Sequence, residues 1–554
     1  MKASDLLVRC LEVEGVKYVF GLPGEENEDV LFSLDGSPIQ FVPCRHEQGA
    51  AFMADVWGRL TGKAGVCLST LGPGATNLIT GIADAHLDKA PLVAITGQGD
   101  LDRLHKESHQ ALDIVDMLKP VVKWNTSIAT PTVIPEVVRK AFKLAEMEKP
   151  GATHIELPED IAKLSVDARP LEPRWLRRPA PDYKAVDQAL KIIRSAAFPL
   201  ILAGNGAIRK LASKHLRDFV EYTGIPVVST FMGKGAVSAR DDRYLFAAGM
   251  TARDFVLDAF ACADVVIAVG YDVAEYDPKQ WNPGRRIRIV HIDFEPAEIY
   301  KHYQPEVEAV CDISGTLWTL NQQLRSSESL FENWTLPVRR RMEQDLDSYR
   351  LREGQPFTVP GTLHLLRRVM ADTDTLISDV GSHKVWIARN FPAYEPNTVI
   401  ISNGLASMGL SLPGGVAARL AMPDRRVVCT MGDGGFLMNA AEIETATRCG
   451  VSFPIIVFND NDYGLIRWKQ HTHHGRSVGT ALTNPDYVKF AESFGIRGYS
   501  PANLRELENV LRRVVAEQEM CIVEVKVDPS VDLELTKKLE AAVQPEPEAN
   551  EVNS

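Results

Sequence analysis

Gly432-Asp433-Gly434-Gly435 follows an apolar run, Val427–Met431, with the composition of a buried strand. A second such run, Pro454–Phe458, ends in Asn459-Asp460-Asn461-Asp462-Tyr463-Gly464. Ligands of a parallel sheet gather at the carboxyl ends of its strands, so the two runs should deliver Asp433 and Asp460 to one edge. Oxygen-only ligands suit a hard cation such as Mg²⁺ or Ca²⁺. Glycines beside Asp433 let backbone approach a diphosphate, whose charge the cation offsets. By itself the Gly-Asp-Gly triplet also fits a bare tight turn. The second acidic strand end in the same block favours a site.

Four further segments place reactive or small residues next to predicted strands. Arg45-His46-Glu47-Gln48 follows the strand Gln40–Val42, and Leu71-Gly72-Pro73-Gly74-Ala75-Thr76-Asn77 follows Val66–Ser69. Asp379-Val380-Gly381-Ser382-His383 and Asn403-Gly404-Leu405-Ala406-Ser407-Met408-Gly409 belong to the later part of the chain. Taken singly, each has an ordinary structural reading. Glu47 fits a solvated first-turn glutamate, Gly-Pro-Gly a turn, His383 a capping or core histidine, and Met408 gap-filling core.

Taken together, in this order, the segments resemble the thiamine-diphosphate-dependent enzymes, and within them the acetolactate synthase family, from about Asp5 to Leu535. The resemblance implies that Asp433, Asp460 and the backbone carbonyl of Asp462 bind Mg²⁺; Asp460 stands where many members carry Asn. It implies that Glu47 hydrogen-bonds the aminopyrimidine of the cofactor and relays a proton, and that Gln110 forms a polar wall near the reacting carbon. Gly72, Pro73 and Asn77 would line the cofactor face. Val380, Gly381, Ser382 and His383 would meet the diphosphate with Gly432, Gly434, Gly435, Tyr463, Gly464 and Leu465. Ser407 and Met408 would support the bent cofactor, Met408 as an apolar wedge.

The implied reaction decarboxylates pyruvate and transfers the hydroxyethyl unit to a second 2-oxo acid, giving 2-acetolactate and CO₂. Gly270-Tyr271-Asp272-Val273-Ala274-Glu275-Tyr276-Asp277-Pro278, Trp281-Asn282 and Ser108–Asp113 resemble the catabolic, flavin-free branch. FAD is therefore not expected. Gly204-Asn205-Gly206 lacks the third glycine of a dinucleotide fingerprint, which argues against NAD. Glu26 departs from the branch, where Lys is frequent, and leaves the acceptor open. The rival readings are another thiamine-diphosphate decarboxylase or acyltransferase and, from a different class, a non-catalytic regulatory paralogue. The family places Glu47 and Asp433 across a subunit interface, so a homodimer or homotetramer is expected; a small regulatory subunit stays open.

These residues need a scaffold, and the pattern supplies one. Short β-branched runs alternate with helical stretches, the mark of α/β architecture with three consecutive doubly wound parallel-sheet domains. The expected organisation is a pyrimidine-binding domain over 1–168, a Pro/Arg-rich linker over 169–184, and a central domain over 185–327. A connecting helical segment over 328–355 leads to a diphosphate-binding domain over 356–535, and an acidic disordered tail covers 536–554. Strands are expected at Tyr18–Phe20, Leu92–Thr96, Leu200–Ala203, Val227–Ser229, Val265–Val269, Ile287–Ile292, Leu376–Asp379, Val399–Ser402 and Ile522–Val527. The helix near Gln48–Leu60 should stop at Gly62.

A net charge of −12 without a basic block argues against nucleic acid and membrane surfaces as partners. Eight scattered cysteines, mostly in apolar stretches, read as free thiols, and the amino terminus carries no signal core. A cytoplasmic enzyme is the expectation.

Overall fold

The computed structural model describes residues 1–174, 178–209, 211–250, 253–325 and 329–541. Three six-stranded sheets follow one another along the chain, and every strand pairing in them is parallel. The first runs Gln40–Pro43, Tyr18–Gly21, Gly65–Ser69, Leu92–Gln98, Ala152–Pro158, Trp124–Ser127 across its width. The third runs Val399–Ile401, Thr375–Ser378, Val427–Gly432, Pro454–Asn459, Cys521–Lys526, Arg497–Tyr499. Numbered within its own block, each of these two sheets has the order 2-1-3-4-6-5, so the outer domains are one fold used twice. The middle sheet, from Val307–Val310 to Tyr244–Ala247, reads 6-5-4-1-2-3, the other common doubly wound order.

The central strands are buried on both faces because helices cover both, as parallel sheets require. Five strands lie outside the expected set: Trp124–Ser127, Ala152–Pro158, Tyr244–Ala247, Val307–Val310 and Arg497–Tyr499. Four of them are short edge strands whose weak alternation hides them. Ala152–Pro158 is central but carries polar residues inside. His154 Nε2 lies 2.9 Å from Thr96 Oγ1, and Gln98 Nε2 donates to Glu156 at 2.9 Å. Burial pushes the His154 imidazole down to about 3, so it sits neutral in the core.

Helix Glu47–Thr61 ends at Gly62, whose φ of +68° closes the last turn. The irregular stretch after 168 gives way to helix at Tyr183, where Asp182 accepts a hydrogen bond from Lys184 N; residues 175–177 lie outside the described residues. Among the described residues of the connecting segment 328–355 the regular helix is Leu336–Asp347, and its charged face is partly buried. Asp345 of that helix pairs with Arg389 at 2.7 Å, and the same guanidinium meets Asp254 at 2.7 Å.

The expected tail from 536 is corrected. Helix Ser530–Ala541 extends into its first residues with Leu535 and Leu539 buried, because Trp468 Nε1 and Trp386 Nε1 donate to Thr536 and Asp532. Residues 542–554 of the acidic stretch lie outside the described residues. Among the described residues no helix is long and apolar enough to cross a membrane.

Candidate active site

The carboxyl ends of Thr375–Ser378, Val427–Gly432 and Pro454–Asn459 lie side by side in register, with Ser378 opposite Thr430 and Gly432 opposite Phe458. Beyond them opens a cavity of about 230 Å³. It is lined by Val380, Gly381, Ser382, His383, Met408, Gly432, Asp433, Gly434, Gly435, Asp460, Asp462, Tyr463, Gly464 and Leu465. Helices Ser382–Asn390 and Gly464–His474 both start at this wall. Their free amides and dipoles make it attractive to an anion.

Asp433, which is buried, and Asp460, whose side chain is 9% exposed, share the cavity. Asp433 accepts from Gly434 N at 2.9 Å and from Asn484 Nδ2 at 2.7 Å. Burial raises its pKa. Burial first, and then the neighbouring Asp433 charge, pushes Asp460 up to about 7. Arg467 meets Asp460 at 3.2 Å and stands 3.8 Å from both Asp462 and Asp532, so one guanidinium faces three carboxylates. The Asp462 Oδ1 atom is buried without a hydrogen-bond partner. Among the described residues no set of three or more His, Cys, Asp or Glu side chains gathers as a metal cluster.

Small residues bring the walls together. A Cβ on Gly435 would lie 2.2 Å from Asp379 Oδ2, and one on Gly464 would lie 2.7 Å from Asp460 Oδ2. Asp379 is buried, accepts from Gly409 N at 2.7 Å, and is pushed up to about 7 by desolvation. Burial takes His383 down to about 3, leaving a neutral ring.

The first domain builds a second cluster. Glu47 opens helix Glu47–Thr61, capped by His46, and is 8% exposed. Asn77 Nδ2, one turn into helix Pro73–Leu87, donates to Glu47 Oε2 at 2.9 Å. Pro73 starts that helix, and Gly72 before it has φ of +54°. A Cβ on Gly72 would lie 2.8 Å from Gln110 Cβ, which sets Gln110 against the same loop, itself exposed and at φ of +57°.

Glu47, Gly72, Pro73, Asn77 and Gln110 thus come together, but none of them lines the cavity of the third domain. Ser407 lies behind it, its N–H donating to Ser402 Oγ at 3.1 Å. Asn484, Arg467, Asp379 and Glu442 also serve the two clusters, and sequence reasoning missed these roles. Glu442 accepts from Arg45 N at 3.0 Å and His46 N at 3.1 Å, tying the third domain to the start of the Glu47 helix. Asn484 carries no local signal; it lies about fifty residues from Asp433 in a loop.

At the switch point of the middle sheet the loops after two neighbouring strands touch. A Cβ on Gly204 would lie 2.4 Å from Gly270 O. Glu275 reaches back to accept from Asn205 N at 3.0 Å, from Asp272 N at 3.2 Å and from Thr230 Oγ1. Tyr271, Trp281 and Tyr303 pack beside it as a buried aromatic group.

Three family models match in the order of the three sheets. The N-terminal thiamine pyrophosphate binding domain covers residues 1–117, the central domain of these enzymes 186–320, and the C-terminal thiamine pyrophosphate binding domain 379–525. The chain is 36% identical to the catabolic acetolactate synthase of Raoultella terrigena over 95% of both chains. It is 34% identical to the acetolactate synthase of Bacillus subtilis, over 96% of this chain and 94% of that one. It is 32% identical to the large subunit of acetolactate synthase isozyme 2 of Escherichia coli, over 95% of this chain and 96% of that one. Sheet order, strand-end carboxylates and full-length similarity agree: the chain belongs to the thiamine-diphosphate-dependent acetolactate synthase family.

Proposed function

We propose that this chain condenses two 2-oxo acids, pyruvate first among them, to 2-acetolactate with release of CO₂, using thiamine diphosphate and Mg²⁺. The observation that carries the reading is the cavity at the third sheet, where the carboxylates of Asp433 and Asp460 stand beside two helix N-termini. Helix N-termini suit a diphosphate, whereas carboxylates repel one, so the pair fits a metal-bound diphosphate. Burial first, and the neighbouring Asp433 charge second, raise Asp460, and a divalent cation between the two would offset both.

Asp433, Asp460 and the Asp462 carbonyl would hold Mg²⁺. Gly381, Ser382, His383 and Gly464 would receive the diphosphate, and Met408 would supply a bulky apolar contact. When bound, thiamine diphosphate supplies an acidic carbon and an electron sink for decarboxylation. Glu47 would meet the aminopyrimidine and relay a proton to and from it, and Asn77 fixes the carboxyl group's orientation. Gln110 forms a polar wall. Keeping water away from the site would favour transfer to the second 2-oxo acid over release of acetaldehyde.

Glu47 and Asp433 form separate clusters within one chain, which supports a site completed by a second chain and at least a homodimer. The similarity of Gly270–Pro278 and Ser108–Asp113 to the catabolic branch, together with the 36% identity to a catabolic relative, supports the flavin-free reading.

The test is product analysis with purified protein, pyruvate, thiamine diphosphate and Mg²⁺, with and without FAD. Acetolactate at equal rates in both arms is expected. Acetaldehyde as the main product would make the chain a decarboxylase, and dependence on FAD would overturn the flavin-free reading.

A further inference from the structure

Three carboxylates of the first domain, Asp55, Asp84 and Asp88, are at most 1% exposed and converge on one guanidinium. Arg59 meets Asp55 at 2.8 Å, Asp84 at 3.0 Å and Asp88 at 2.6 Å. Burying three acids around one arginine is an expensive way to gain stability, since desolvation offsets most of the attraction. Their remaining hydrogen bonds indicate another use.

The cluster reaches across the domain boundary. Arg59 Nη1 donates to Ile401 O at 2.9 Å, at the end of an edge strand of the third sheet. Ser402 Oγ donates to Asp84 Oδ1 at 2.6 Å. Asn403 N donates to Asp88 Oδ2 at 3.1 Å, and Gly404 N donates to Asp88 Oδ1. Asn205 Nδ2 of the central domain donates to the Asp88 carbonyl at 2.8 Å, so this residue touches all three domains.

From Asn403 the chain runs directly into the loop that puts Met408 on the cavity. Ala406 at φ +57° and Gly409 at φ +96° give the loop a left-handed path, which persists only where the surroundings fix it. Its far end is fixed within the third domain: Gly409 N donates to Asp379, and Asn439 Nδ2 donates to Gly409 O at 2.8 Å. The near end is held by the first-domain carboxylates.

We propose that Asp88, with Asp84 and Arg59, is a positioning residue for the reaction: it fixes the Asn403–Gly409 loop and thereby sets Met408 against thiamine diphosphate. The proposal rests on Met408 being the apolar support of the bound cofactor. In Asp88→Asn the new amide must face either Arg59 or the Gly404 N–H, donor against donor, and the loop loses one hold. The diphosphate contacts lie elsewhere, so cofactor affinity should change little.

The test is a double-mutant cycle on the cofactor-loaded enzyme, with Asp88→Asn, Met408→Ala and the pair. Asp88→Asn should lower kcat about tenfold or more, the scale of a small misplacement near the reacting atoms, with unchanged Kd for Mg²⁺–thiamine diphosphate. The double variant should be no slower than Met408→Ala alone. Multiplying losses, or an Asp88→Asn enzyme with normal kcat, would overturn the proposal. A normal kcat for Met408→Ala would remove the role of Met408 itself, and the proposal with it.

Should Asp88→Asn fail to fold, Gly404→Ala makes the same test without touching a charge. Its Cβ would come 2.8 Å from Asp88 Oδ1 and 2.9 Å from Leu87 O, pushing the loop away. The same non-additivity with Met408→Ala is expected, and additivity would again overturn the proposal.

Discussion

Glu47→Gln is expected to bind thiamine diphosphate as the parent does and to turn over about 10²–10⁴-fold more slowly, the usual share of a positioned proton-transfer group. That loss corresponds to roughly 3–5 kcal/mol of barrier. Binding should survive because the surroundings do not depend on the charge. The helix start is held by His46 as cap and by Glu442 through the backbone of Arg45 and His46. The amide oxygen of glutamine can still accept from Asn77. What glutamine cannot do is carry the proton. Titration calorimetry with thiamine diphosphate and Mg²⁺, beside kcat, separates the two effects. Near-normal turnover would remove Glu47 from the mechanism.

Asp433→Ala should act on binding instead. It leaves Asp460 as the single carboxylate donor and removes the group that Asn484 steadies. A ligand that binds only the folded chain stabilises it by about 2.7 kcal/mol at a hundredfold excess over Kd, and this gain should vanish in the variant. The apo variant should be at least as stable as the apo parent at neutral pH. The folded pKa of Asp433 is raised, so the ionised carboxylate costs stability once the pH passes its unfolded value, and alanine removes that cost. Thermal unfolding with and without cofactor reads both effects. Undiminished stabilisation by Mg²⁺ and thiamine diphosphate would displace the metal site from Asp433.

The parts of this molecule that are legible in its sequence share a physical reason. Strands buried on both faces, such as Val265–Val269 and Val427–Gly432, are short, mostly apolar runs rich in β-branched residues. Residues at their carboxyl ends inherit a location, which is why Gly432–Gly435 and Asp460 can be assigned to one edge. The edge strand Arg497–Tyr499 is three residues long and only partly covered, and its pattern is indistinct. Ala152–Pro158 is hidden because His154 and Glu156 find their partners, Thr96 and Gln98, on the neighbouring strand inside the core, which no local pattern reports.

The same holds at the site. Glu47 and Asp433 stand in recognisable motifs, while Asn484, Arg467 and Glu442 matter through contacts across long stretches of chain. The helix Ser530–Ala541 is masked by its charged residues; only its packing on Trp386 and Trp468 shows why it is ordered.

Mixing two inactive variants asks whether one catalytic site is made of Glu47 from one chain and Asp433 from another. In a heterodimer of Glu47→Gln with Asp433→Ala, one site carries both defects and the other carries neither. Co-expressed in equal amounts and assayed for acetolactate, the pair should recover about a quarter of parental activity, because half of randomly paired symmetric dimers are mixed and each has one intact site. Activity no higher than the sum of the two variants, with mixed dimers demonstrably present, would contradict a shared site and place Glu47 and Asp433 of a single chain together.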